Sequence, residues 1–312
     1  MGDASIKIVV PSVVCIDDMS PLEKIEYAYR TCYQSRHLMG DGSYKFISKI
    51  LYPEDGGTPH SSPLEHVHVS MVIHTPKADR TIREWQDWFN NYHLRLYWHP
   101  KTNIDGSFML EGNLRAFFDF WRRGYIPDSS SLSALQYHTN RVLCDAFPIF
   151  QRLEAPTEIS DTSGSDIISE LEVCRDTKSF NIITTRDILQ ELVRHRTCSF
   201  SVESTRYCDY RKKGFTFVRP DPFSWADPKS MNSSMYQLWY NNCKDTADNY
   251  LKMLDMGANP EEARMLLPGS LKTELVMSAT DADWKHFLDL RNHKTAHPQI
   301  ILIAKEITKY VG

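Results

Sequence analysis

From Pro63 to His74 the chain reads PLEHVHVSMVIH, and apolar positions alternate with polar ones. Val67, Val69, Met71 and Ile73 fall on one side and His66, His68 and Ser70 on the other, the period of two that predicts a half-buried strand. Elsewhere the period changes. SPLEKIEYAYRTCY (20–33) places its apolar residues at helical spacing, and IKIVV (6–10) is a short apolar run that predicts a buried strand. FNIITTR (180–186) predicts another strand, which hands over to the helix DILQELVRHR (187–196). There Ile188, Leu189, Leu192 and Val193 form one apolar face. Glu191, Arg194 and His195 lie on another side at spacings that let them interact. Asp187, with Gln190 three residues on, is the expected cap.

The last third is helical in pattern. MYQLWYNNCKDTADNYLKMLDMG (235–257) predicts a long amphipathic helix stopped by Gly257. NPEEARMLLP (259–268) offers Asn259 as a cap, Pro260 at the first helical position and acids in the first turn. DADWKHFLDLRN (281–292) puts Trp284, Phe287 and Leu288 on one stripe, which Arg291 continues one turn later. HPQIILIAKEITKYVG (297–312) predicts a helix behind Pro298. Between about Thr75 and Ser179 the chain is rich in Trp, Phe and Tyr (REWQDWFNNYHLRLYW, NLRAFFDFWRRGY) and broken by PDSSSLS and PTEISDTSGSD. That character predicts a mainly helical insertion with surface loops, not a repeat.

Composition narrows the class. The 312 residues are 41% hydrophobic and 24% charged, enough apolar material for a sizeable core in one domain or two. A net charge of −4 argues against a general nucleic-acid coat. MGDASIKIVV lacks the long apolar core of a secretory signal, and no apolar run reaches the roughly 18 residues of a membrane span. The seven cysteines include no CxxC pair, so reduced thiols in a cytosolic protein are expected.

Against that acidic background, RHRTCSFSVESTRY (194–207) concentrates three arginines and a histidine. A metal site on His195, Cys198 and Cys208 lacks a fourth ligand at useful spacing. A nucleic-acid patch gains from the basic and aromatic residues of RYCDYRKKGF, but the rest of the chain is not basic. A phosphate cradle fits best: guanidiniums bind phosphate bidentately, and Ser and Thr hydroxyls complete the shell. With no glycine-rich nucleotide loop, arginines would have to hold any nucleotide. Arg291, on an apolar stripe, should meet an anion, a carbonyl-rich ligand or a buried carboxylate, or else snorkel from the helix end. For Arg264 an ion pair with Glu261 is the structural alternative. HSSPLEH (60–66) reads as a polar strand entry, its two histidines lacking the HExxH spacing of a metal-binding helix.

Taken together, these motifs resemble a known family. Arg194-His195-Arg196, seven residues, then Ser204 is similar to the RHRx7S signature of flavin-dependent thymidylate synthases. YRTCYQS, HSSPLEH, ESTRYCDY, FTFVRP, ARMLLP and DWKHFLDLRNHKTAHPQ follow in the family's order, over about residues 5–75 and 180–310. The resemblance implies an α+β fold, a mixed sheet flanked by helices, as a single domain over 1–312 with the insertion at 75–179. It implies reductive methylation of dUMP to dTMP with FAD, methylenetetrahydrofolate as one-carbon donor and NADPH as reductant. No covalent enzyme nucleophile is implied, and no metal. A cytoplasmic homotetramer is implied (in the host cytoplasm, were the chain viral), without nucleic-acid or membrane partners.

Roles follow residue by residue. Arg194, His195 and Arg196 match the residues that hold the flavin, with Arg194 also near the nucleotide. Ser62, with Glu65 and His60, matches strand-entry residues facing the flavin, and His286 another flavin position. Glu191 matches a nucleotide contact, and Ser204, Thr205, Arg206 and Arg264 fall where the family holds deoxyuridylate. Arg291 matches the arginine that stabilises charge at the N3–O2 edge of the uracil ring, so Arg291 and Ser204 are the catalytic candidates. The chain also departs from the family. Ser201-Val202 stands where many members read Asn-Glu, with the carboxylate one step later at Glu203. Thr280 and Ala282 stand where an Asn-x-Arg pair often meets flavin, and Asn113 and Arg115 of the insertion are candidates to replace it. A same-scaffold pyrimidine nucleotide hydroxymethylase and a nucleic-acid module on residues 194–215 are the rival readings.

Overall fold

The computed structural model describes residues 5–40, 42–74, 86–87, 89–98, 107–123, 139–151, 167–174, 176–206, 208–227, 229 and 233–311. In chain order the strands are β1 (Ile6–Val9), β2 (Ser12–Cys15), β3 (His68–His74), β4 (Arg95–Trp98), β5 (Ser107–Asn113), β6 (Ile167–Val173), β7 (Thr177–Thr185), β8 (Ser199–Val202), β9 (Phe215–Val218) and β10 (Lys272–Thr280). The helices are α1 (Pro21–Cys32), α2 (Ser43–Leu51), α3 (Leu114–Arg123), α4 (Arg186–Leu192), α5 (Tyr210–Lys213), α6 (Ser234–Asp255), α7 (Pro260–Ala263), α8 (Asp281–Arg291) and α9 (Pro298–Thr308). The fold is α+β. The chain forms two compact units, one of Met1–Ser20, Tyr27–Met39 and Asp176–Gly312, the other of Pro21–Glu26 and Gly40–Arg175.

The first unit is built on the antiparallel sheet β2-β7-β10-β8. Successive side chains on a strand point to opposite faces. One face, with Phe180, Ile182, Leu275 and Met277, packs against Ile188, Leu189 and Leu192 of α4, Trp284 and Phe287 of α8, and Ile300, Ile303 and Ile307 of α9. Trp284 is fully buried and donates its indole N–H to the Lys178 carbonyl at 3.0 Å, so its polar atom is satisfied. On the other face Val276 packs with Ile16, Tyr27 and Ala28. β1 pairs in parallel with β9, and Phe215 and Phe217 pack beside Cys243, Ala247 and Tyr250 of α6.

Local chemistry sets the helix ends. Gly257 takes φ +100, a conformation that favours glycine, just past α6. Asn259 and Glu262 complete a capping box on α7, as the sequence predicts. At α4 the expectation of an Asp187 cap is corrected: Thr185 Oγ1 accepts the Ile188 N–H at 3.2 Å. Thr185 is the last residue in extended conformation (φ −80, ψ 157), so Asp187 already lies in the first turn, where its charge suits the helix dipole.

The second unit carries the antiparallel sheet β4-β5-β3-β6. Val67, Val69, Met71 and Ile73 are buried as their alternation predicts. The strand starts later than predicted, at His68, because Ser62–His66 forms a 3-10 turn with proline near its start. His66 therefore turns inward, and burial, with Lys24 and His68, pushes its pKa down to about 3. The described part of 75–179 holds α3 and further helical residues at 86–87, 89–90 and 139–146, and the strands β4, β5 and β6 stand beside them. Short aromatic runs suit strands as well as helices, and periodicity alone does not separate them.

Candidate functional site

α4 ends in the turn that carries Arg194, His195 and Arg196. Arg194 and Arg196 are exposed, while His195 is only 8% exposed and sets its ring edge-on to Phe287 of α8, centroids 4.7 Å apart. Burial, then the charge of Arg291, then His286, hold the His195 pKa at about 4. The imidazole is therefore neutral at pH 7. Its Nε2 accepts the Arg291 Nε–H at 2.9 Å, which assigns the ring proton to Nδ1.

Arg291 does meet a carboxylate. Its Nη1 donates to Glu191 Oε2 at 2.8 Å and its Nη2 to the Glu191 carbonyl at 3.1 Å, with the arginine side chain 19% exposed. The apolar stripe of Trp284, Phe287 and Leu288 is buried, and Arg291 sits where it gives out. Glu191, Arg194, His195, Arg196, His286 and Arg291 thus gather where α4 and α8 meet.

A second group forms around the turn after β8. The Ser204 N–H donates to the Cys32 carbonyl at 3.0 Å, and its Oγ accepts the Arg206 N–H at 3.2 Å. Among the described residues no histidine or carboxylate contacts that hydroxyl. Arg264 Nη1 donates to Thr205 Oγ1 at 3.5 Å. Glu261 pairs with Arg206 at 3.1 Å, not with Arg264, which corrects the expected ion pair. Arg264 thus reaches the segment 204–206, whose own Arg206 turns its guanidinium to Glu261.

Other candidates sit on other elements of the fold. In the second unit, Ser62 Oγ is 3.0 Å from His60 Nε2, and Glu65 pairs with Arg115. Asn113 caps α3 by accepting the Ala116 N–H at 2.9 Å, and Arg115 also reaches Asp119 at 3.4 Å. Thr280 is the cap of α8, accepting the Asp283 N–H at 3.2 Å. Val202 packs toward the α4 and α8 side of the sheet. Glu203, one residue on, points the other way and pairs with Lys272 at 2.6 Å. The shifted carboxylate therefore does not replace a group at Val202.

Sequence reasoning missed the network around Glu203. Lys272 also pairs with Glu274 at 3.2 Å, Glu274 binds Arg36 and accepts from Asn181 Nδ2 at 2.9 Å, and Gln34 binds Glu203. Burial pulls the Lys272 pKa down, but Glu203 and Glu274 outweigh it and hold the ammonium above its ordinary value. Gln34, Arg36, Glu203, Lys272 and Glu274 line a cavity of about 280 Å³. The sequence signal was the pair Lys272 and Glu274, two apart and so on one face of a strand. Among the described residues, no helix is long and apolar enough to cross a membrane, and no group of three or more His, Cys, Asp or Glu is placed to hold a metal.

Residues 170–312 match the sequence model of a family described as thymidylate synthase complementing protein. A flavin-dependent thymidylate synthase from Geobacter sulfurreducens is 31% identical over 121 residues, 39% of this chain and 50% of that protein. One from Thermococcus onnurineus is 30% identical over 112 residues, 35% of this chain and 43% of that protein. The chain spans about half the length of the curated relatives it matches. The crystal structure of thymidylate synthase X from Helicobacter pylori with FAD and dUMP is 16% identical, with 97% of this chain and 93% of that one covered. Its TM-score is 0.37. Residues 170–312, which hold the Arg194–Arg196 turn, Ser204 and Arg291, are thus the part of this chain that is similar to the thymidylate synthase complementing protein family, and the matched relatives are flavin-dependent thymidylate synthases.

Proposed function

We propose that the chain is a flavin-dependent thymidylate synthase, methylating dUMP to dTMP with FAD, methylenetetrahydrofolate and NADPH. The observation that carries this is the meeting of the 191–196 segment with Arg291, about a hundred residues away, through the bonds of Arg291 to His195 and Glu191. The donor set fits a phosphate-bearing flavin. Arg194 and Arg196 are exposed guanidiniums that form no ion pair among the described residues, beside an imidazole kept neutral. Their structural alternative is to offset the negative end of the α4 dipole, which one cation would do.

In this reading Arg194, His195 and Arg196 bind FAD, with Ser62 and His286 as further flavin contacts. FAD, when bound, supplies the hydride for the reduction. Arg206 and Arg264, with Ser204 and Thr205, hold the anionic nucleotide through charge and hydroxyl donors. Arg291 stabilises negative charge that develops at the N3–O2 edge of the uracil ring, which lowers the barrier because it acts most strongly in the activated state. The working form is a cytoplasmic homotetramer of one synthase domain, with the insertion at 75–179.

Mass spectrometry of the product from dUMP, methylenetetrahydrofolate and NADPH tests the proposal, alongside the absorbance of the purified protein. Bound flavin and dTMP are expected. A hydroxymethylated product, or a protein free of flavin that retains no added FAD, would sink it.

A further inference from the structure

Three bonds fix the Arg291 guanidinium within the chain. Of its five N–H donors, one on Nε serves His195, one on Nη1 serves the Glu191 carboxylate, and one on Nη2 serves the Glu191 carbonyl. Among the described residues this leaves one N–H on each terminal nitrogen. A long side chain held at three points has lost most of its rotamer freedom before any ligand arrives, so binding need not pay for it. Each contact also demands one partner state. Nε needs an imidazole that accepts, and a protonated ring has no acceptor. Nη1 needs an oxygen on Glu191. Val202 brings no carboxylate to this side of the sheet, and Glu203 faces the other side.

Resting on the activity proposed above, we propose that Glu191 and His195 are positioning residues for Arg291. They hold the guanidinium plane in one orientation, with an N–H on each terminal nitrogen left for the electron-rich edge of a pyrimidine. Glu191 then acts on the reaction through Arg291. A simpler role is available to the same atoms: Arg291 tops the last turn of α4 and offsets its dipole. That role affects stability alone.

Two measurements on the full chain separate these outcomes. The first follows the Arg291 Nε–H by nitrogen-15 NMR, assigned through its loss in Arg291→Lys. Slow exchange is expected in the wild type and exchange about tenfold faster or more in Glu191→Ala. The same exchange rate in both proteins would overturn the proposal. The second is kinetic. Glu191→Ala is expected to lower kcat by about 10- to 100-fold while dUMP affinity changes by less than about threefold. Glu191→Gln, whose amide oxygen still accepts from Nη1, is expected to recover part of that loss. A tenfold weaker dUMP affinity at unchanged kcat would make Glu191 a nucleotide contact and refute positioning. Unchanged kinetics with a lowered melting temperature would leave only the helix-end role and refute it too. The exchange arm needs no turnover, so slow wild-type exchange without dTMP formation would count against the activity and still support the positioning.

Discussion

Replacing His195 with Gln removes a titrating acceptor from Arg291 while keeping an oxygen that can take its Nε–H bond. In the folded chain the imidazole is held at about 4 against an ordinary 6.5, by burial first and then by Arg291 and His286. The folded chain therefore refuses a proton that the unfolded chain accepts between those values. The stability this provides is complete above pH 6.5 and is lost as the pH falls through the window toward 4. Those values give a loss of about 2 kcal/mol between pH 7.5 and pH 5, rising to about 3 kcal/mol below pH 4. His60 and His66 in the second unit are also lowered, so total acid sensitivity decides nothing, and the difference between wild type and variant does. Hydrogen exchange of the β7 and β10 amides in low urea reports opening of the first unit itself. Wild type should lose about 2 kcal/mol more than His195→Gln over that range. Equal pH slopes in the two proteins would show that His195 is not held neutral by its site.

Three further outcomes follow from the same geometry. Arg194→Ala should purify with much less FAD, read as the ratio of flavin to protein absorbance, because a phosphate-binding guanidinium is gone; normal flavin content would refute the cradle. Ser204→Ala should keep its flavin and bind dUMP more weakly, and mild denaturation of the wild type during turnover should trap no nucleotide on the protein, since a covalent adduct would make Ser204 a nucleophile. Lys272→Met should destabilise the first unit by about 3–5 kcal/mol by leaving the buried Glu203 and Glu274 carboxylates without their shared cation, measured as the shift in a urea midpoint. A shift near zero would mean that water or protonation relieves the pair.

What the sequence disclosed, it disclosed through local rules. The helices at 234–255, 260–263 and 281–291 were readable because Gly257, Asn259 and Pro260 mark their boundaries by backbone geometry and capping that need no distant partner. β10 escaped notice because its central residues are buried on both faces, which erases the alternation that betrays an edge-facing strand. The side of the sheet that Glu203 faces depends on a period of two along β8, so one step of sequence reversed its meaning. Arg291 stood out as a cation on an apolar stripe. Its partners did not, since the meeting of α4 with α8 is set by strand pairing between segments about ninety residues apart.

That pairing has a consequence for how chains of this kind can change in length. β7 hands over to α4 at Thr185, opposite Lys272, and β10 hands over to α8 at Thr280, opposite Thr177. The helices leave opposite ends of the ladder and come back until Arg291 meets Glu191. One residue gained or lost within either strand shifts its helix by about 3.3 Å and turns its side chains over. The ladder therefore acts as a ruler for the distance between these two residues. Insertions and deletions accumulated during divergence should spare Thr177–Leu192 and Lys272–Arg291 and collect in the connections that leave the ruler unchanged.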